Sequence, residues 1–161
     1  MQFKHLTLLT AAVSVTYAQT VSFNATEIIQ ELMALTNLAQ VTNSLAGTIT
    51  LGNAVSTLPV LVTDLTAYAA ALAADAVEIA QDASGSVFDT TDQVAICASL
   101  NQFIAADQGV VSSIGGITNI ITVSPLNAVI TSLFNYVNSC ASSIVGSLTP
   151  SLPNCVSTGS I

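Results

Sequence analysis

The sequence predicts an all-α protein, an antiparallel bundle of four amphipathic helices or, with a short extra one, five. Apolar residues recur at three- and four-residue steps through four long blocks, and period-two alternation is almost absent. Between the blocks lie Gly52-Asn53, the run DASGSVFDTTD and Gly115-Gly116, all turn or breaker signals.

Block one begins at Thr26, an N-cap residue with Glu27 in the first turn. It carries Ile28, Leu32, Leu35, Leu38 or Ala39, and Val41 inward and ends near Gly47. Block two runs from Ser56 to Gln81 with Pro59 in its first turn and Leu58, Leu61, Leu65, Tyr68, Leu72 and Ile79 on one stripe. Thr90 or Thr91 caps block three, which places Asp92 in its first turn and Ile96, Leu100, Phe103 and Val110 or Val111 inward. Residues 117–123 are linker or a short helix, since no partner strand exists for them. Ser124-Pro125 is a cap followed by proline at the first helical position. Block four then carries Leu126, Ile130, Leu133, Val137, Cys140, Ile144 and Leu148 until Pro150 and Pro153 stop it.

The first 20 residues, MQFKHLTLLTAAVSVTYAQT, contain the chain's one Lys or Arg, Lys4, and its one His, His5. A basic start, an apolar run over 6–15 and small residues at Thr16 and Ala18 predict a secretory signal peptide cut after Ala18, leaving Gln19 at the mature N-terminus. The organisation expected is a signal peptide over 1–18, a bundle over 19–148 and a Pro- and Ser-containing tail over 149–161. Secretion is expected, with cell-wall association as a further step.

After the cut the chain holds nine carboxylates and no cationic side chain. Nucleic acid is not expected as a partner, because Lys and Arg supply most of that affinity. Without His there is no Ser-His-Asp or Cys-His arrangement and no imidazole metal ligand. Glu27 with Glu31, and Asp89 with Asp92, have the spacing of an acid and base pair, but carboxylates at helix starts answer the macrodipole. DASGSVFDTTD lacks the ligand spacing of a calcium loop. The chain is therefore not expected to be an enzyme or to hold a cofactor or metal. Nine like charges without internal cations also predict that acidification to about pH 4 costs little stability.

On block two Asp64, Asp75, Glu78 and Asp82 share one edge of a cylinder that is otherwise mostly apolar or small. The composition is 52% apolar and 6% charged, with mean hydropathy +0.74. No window of about 20 residues is free of Ser, Thr, Asn, Gln or Gly, and no cation flanks one, so no membrane span is expected.

Cys97, Cys140 and Cys155 are odd in number, which in an exported chain means one bridge and a free thiol, or an intermolecular link. Cys140 lies on the inner stripe of block four and Cys97 beside Ile96, so a bridge involving Cys140 is favoured. All three pairings stay open. Asn24-Ala25-Thr26 is an N-glycosylation sequon, and the abundance of Ser and Thr suits O-mannosylation.

Three passages, TEIIQELMALTNLAQ, VFDTTDQVAICASLNQFI and SPLNAVITSLFNYV, together with the signal peptide, resemble the fungal hydrophobic surface-binding protein A family, which overlaps the cell-wall galactomannoproteins. The resemblance extends to about Leu148. It implies an exported helical bundle that adsorbs to hydrophobic surfaces, with relatives that enclose fatty acids or other lipids. The family is non-catalytic, and some members are thought to recruit a secreted esterase to a surface. Members commonly carry lysines; this mature chain has none.

The expected function is binding of hydrophobic surfaces or lipids through apolar helix faces, with a structural wall mannoprotein as the alternative. The candidate ligand contacts are Leu61, Leu65, Leu72, Ile96, Leu100, Phe103, Ile130, Leu133 and Val137. Burial at about 25 cal/mol per Å² would supply the affinity.

Overall fold

The computed structural model describes residues 23–84 and 86–155. The expected signal peptide, the Gln19 terminus and the last six residues of the tail lie outside them. The helices are α1 (Phe23–Gly47), α2 (Ala54–Ala83), α3 (Thr90–Gly116), the short α4 (Thr118–Ile121) and α5 (Asn127–Leu148), followed by a 3-10 turn, Thr149–Ser151. No strand occurs among the described residues. The all-α bundle expected from periodicity is the observed fold.

Each helix buries one stripe. On α2 it is the expected one, Leu58, Leu61, Leu65, Tyr68, Leu72 and Ile79, joined by Ala69 and Ala83. On α1 the stripe ends differently: Val41 is exposed, and Thr42 is buried in its place. Its hydroxyl donates to the Leu38 carbonyl at 3.0 Å, so a polar residue enters the core already satisfied. Helix starts also shift by a few residues. α1 begins at Phe23 rather than Thr26. α3 is capped by Asp89, whose carboxylate accepts from the Asp92 N–H at 2.9 Å; a charged acceptor at the positive helix end outcompetes the Thr90 hydroxyl. Ser124 closes a turn by accepting from the Leu126 N–H, and α5 starts at Asn127, two residues after the expected first position Pro125.

Short connections make consecutive long helices antiparallel, but the closest neighbours are α1 with α3 and α2 with α5, the two layers meeting mainly through α1 and α2. Side-chain bonds fix the directions. Ser113 on α3 donates to Asn43 on α1, so these two run parallel. Ser151, just past α5, donates to the Ala83 carbonyl at the end of α2, so those two run parallel as well. Gly109 lets the first layer close, since a Cβ there would stand 2.9 Å from the Asn43 amide. One end of the bundle therefore gathers the start of α1, the end of α2, the start of α3 and the tail. The other gathers the α1–α2 turn and the α3–α5 connection.

This packing corrects the cysteine reading. The bridge joins Cys97 to Cys155, with Cα atoms 5.6 Å apart, and Cys140 is free and half-buried. α5 packs on α2 and not on α3, so Cys140 does not face Cys97. The tail instead turns back after Pro150, and Asn154 donates to Gln93 on α3 at 3.3 Å, one turn before Cys97.

The expectation of no membrane span is overturned. Three helical stretches, Ala54–Ala83, Thr90–Gly116 and Asn127–Ser151, are long and apolar enough to cross a membrane by length and composition, with mean hydropathies of 1.5, 1.3 and 1.2. Interspersed hydroxyls had argued against a span. In the helices they turn inward: Thr66 donates to the Val62 carbonyl, Ser143 to Ser139 and Ser147 to Ser143. A hydroxyl bonded to its own helix presents far less unmet polarity than the sequence suggests.

Candidate functional site

The expected contact residues are brought together, but as a closed core. Leu61, Leu65, Leu72, Ile96, Leu100, Phe103, Ile130 and Val137 are buried against one another, and Leu133 is partly buried beside them. An apolar molecule reaches this stripe only if the layers part.

The outward face of α5 carries no charge and mixes apolar residues with uncharged polar ones such as Thr131, Ser132 and Asn135. Only 28%, 39% and 22% of the most hydropathic window on the three long stretches is buried. Val55, Val60 and Val77 on α2, Val94 on α3, and Val129 and Tyr136 on α5 are all exposed. The amphipathic period of each helix predicts its inner stripe; it does not announce the valines and the tyrosine left exposed on the other side.

Charge is gathered at one end. Glu27 and Glu31 at the start of α1 stand level with Asp75, Glu78 and Asp82 at the end of α2, because the two helices fold back on each other around the turn at residues 48–53. Glu27, Gln30, Glu31, Glu78, Gln81 and Asp82 line an open groove of ≈ 470 Å³. Glu31 is pushed up to about 8, first by burial, then by a hydrogen bond with Glu78 and by the charges of Asp75, Glu78 and Asp82. Asp75 is raised to about 6 by burial and by Glu78. Glu31 thus keeps its proton at neutral pH. Sequence reasoning paired Glu27 with Glu31 along one helix and placed the α2 acids on a solvated edge. Counting outward from the α1–α2 turn would have brought the two groups together.

A second carboxylate was not singled out at all. Asp107 on α3 is fully buried and accepts a hydrogen bond from the Tyr68 hydroxyl at 2.8 Å, while its Oδ2 has no partner. Burial raises the Asp107 carboxyl, and the Tyr68 bond opposes that. The Tyr68 hydroxyl is itself raised, by burial and then by the Asp107 charge. The pair ties the two layers at mid-height. Tyr68→Phe is expected to lower stability by about 1–3 kcal/mol, because it leaves a buried acceptor unsatisfied. Urea melts at pH 7 check this, with Asp107→Asn, which keeps an acceptor for Tyr68 and removes the ionisable group, expected to be the milder change.

Among the described residues no group of three or more His, Cys, Asp or Glu is arranged to hold a metal ion. Asn24, of the expected sequon, sits in the first turn of α1, where its side-chain amide donates to the Ser86 hydroxyl at 2.9 Å. Compared with protein-family models, with characterised proteins and with solved structures, the chain finds no match.

Proposed function

We propose that this chain is a non-catalytic protein that binds hydrophobic surfaces or lipids through apolar helix faces, as its resemblance to the fungal hydrophobic surface-binding protein A family implies. The observation that carries the reading is the hydropathy of α2, α3 and α5, which reaches membrane levels although no more than 39% of any of the three windows is buried, with large apolar side chains left exposed on each helix. Soluble domains seldom expose so much apolar helix surface without using it. The side chains that would meet an apolar phase are the exposed valines and Tyr136, and not first the packed stripe from Leu61 to Val137. The Cys97–Cys155 bridge suits an oxidising, extracellular setting.

Adsorption tests the proposal. The purified protein is expected to lower the tension of an air–water interface at micromolar concentration and to deplete from solution onto polystyrene beads, while leaving bare silica uncoated. Equal adsorption to silica, or none to polystyrene, removes the reading.

A further inference from the structure

The two ends of the bundle differ in a way that goes beyond general apolarity. Seven acids, Glu27, Glu31, Asp75, Glu78, Asp82, Asp89 and Asp92, lie toward the end that holds the chain's described termini. Asp64 is about a third of the way along α2, and Asp107 is buried about two thirds of the way along α3. Residues 32–63 and 108–155 carry no charged side chain. Ten residues separate Ala54 from Asp64, so the uncharged cap is about 15 Å deep at the helical rise. That is close to the hydrocarbon depth of one leaflet, about half of 30 Å.

At its tip this cap presents large apolar side chains to solvent. Leu51 is 75% exposed, Val55 93% and Val123 79%. The core does not need them, because Ile49, Ile117, Ile120 and Ile121 already close it from beneath. The polar groups beside them are turned on their own backbone. Asn53 accepts from the Thr50 N–H at 2.7 Å through its side chain and donates to the Thr48 carbonyl at 2.9 Å. Its carbonyl takes the hydroxyls of Ser56 and Thr57. In the other connection Thr118 donates to the Gly115 carbonyl and Thr122 to that of Asn119. Turns with their polarity satisfied internally lose little on leaving water, whereas ordinary exposed turns would forfeit hydrogen bonds to it.

We infer that the end of the bundle formed by the α1–α2 turn and the α3–α5 connection enters the apolar layer of a zwitterionic lipid surface, leaving the acidic end in water. The inference rests on the lipid binding proposed above and assigns it to one place. A neutral headgroup is the matching chemistry: with no Lys or Arg among the described residues, an anionic surface offers this protein nothing to pair and repels its acidic end.

Flotation with phosphatidylcholine vesicles tests it, using purified protein, the double variant Leu51→Asp with Val123→Asp, and Val87→Asp as a control. Val87 is 98% exposed in the α2–α3 connection at the acidic end, and all three positions are exposed enough to accept Asp without unfolding, which circular dichroism verifies. Wild type and the Val87 variant are expected to float together, with the double variant partitioning about tenfold less or weaker, since two apolar side chains no longer leave water. A double variant that floats as wild type does overturns the inference and leaves lipid binding intact. So does tighter wild-type binding to phosphatidylserine than to phosphatidylcholine. Wild type that neither floats nor adsorbs to polystyrene overturns the underlying reading as well.

Discussion

Cys155→Ser is expected to cost the fold about 4 kcal/mol, the chain-entropy value for a loop of this size. The bridge spans 58 residues, closing α3, α4, α5 and the turned-back tail into one loop. Because the layers α1 with α3 and α2 with α5 meet mainly through α1 and α2, the Cys97–Cys155 link adds a covalent side-chain tie between them beyond the backbone connections. The thermal midpoint should fall by about 10–15 °C at this chain length, and reducing agent should do the same to wild type. Cys140→Ser, at a half-buried position outside the bridge, should change the midpoint far less. A midpoint insensitive to reductant would show that the tail contributes nothing to the bundle.

Acidification from pH 8 to pH 5 is expected to raise the thermal midpoint by several degrees. Glu31 stands at about 8 in the fold against 4.5 for the free group, and Asp75 at about 6 against 3.8. The folded state therefore holds protons that the unfolded chain has released. Stability from this source is fully present below about pH 4 and is lost as pH rises through 6 and then 8. Solvent at the open groove moderates the size of the effect. Glu31→Gln, a neutral isostere, should melt above wild type at pH 8 and match it near pH 4. If the two melt alike at pH 8, the Glu31 carboxyl is not held against its neighbours. The sequence reading had ascribed acid tolerance to repulsion among nine charges; burial of Glu31 between α1 and α2 is the larger cause.

What the sequence determined by itself is what repeats locally. A helix has one period, so the α2 stripe from Leu58 to Ile79, the Gly115-Gly116 end of α3 and the proline stop after Leu148 all follow from spacing and breaker chemistry. Charge content was equally legible, and with it the absence of any cationic side chain after His5 to pair with the carboxylates. The site was legible only in part. The stripe from Leu61 to Val137 was legible as inward-facing and is buried as a core; the acids gathered from α1 and α2 were not legible as one cluster. The tertiary structure alone decided which helices are neighbours, and everything of consequence here depends on that. Cys97 meets Cys155 because α5 lies against α2 and the tail crosses back to α3. Glu31 meets Glu78 because the α1–α2 turn sets their heights level, and Tyr68 finds Asp107 because α2 and α3 run antiparallel at mid-bundle. An apolar stripe states that a face will be covered; it carries no label for what covers it. Partners 39 to 58 residues apart are chosen by the packing of whole faces, where many side chains act together and no single spacing records the result.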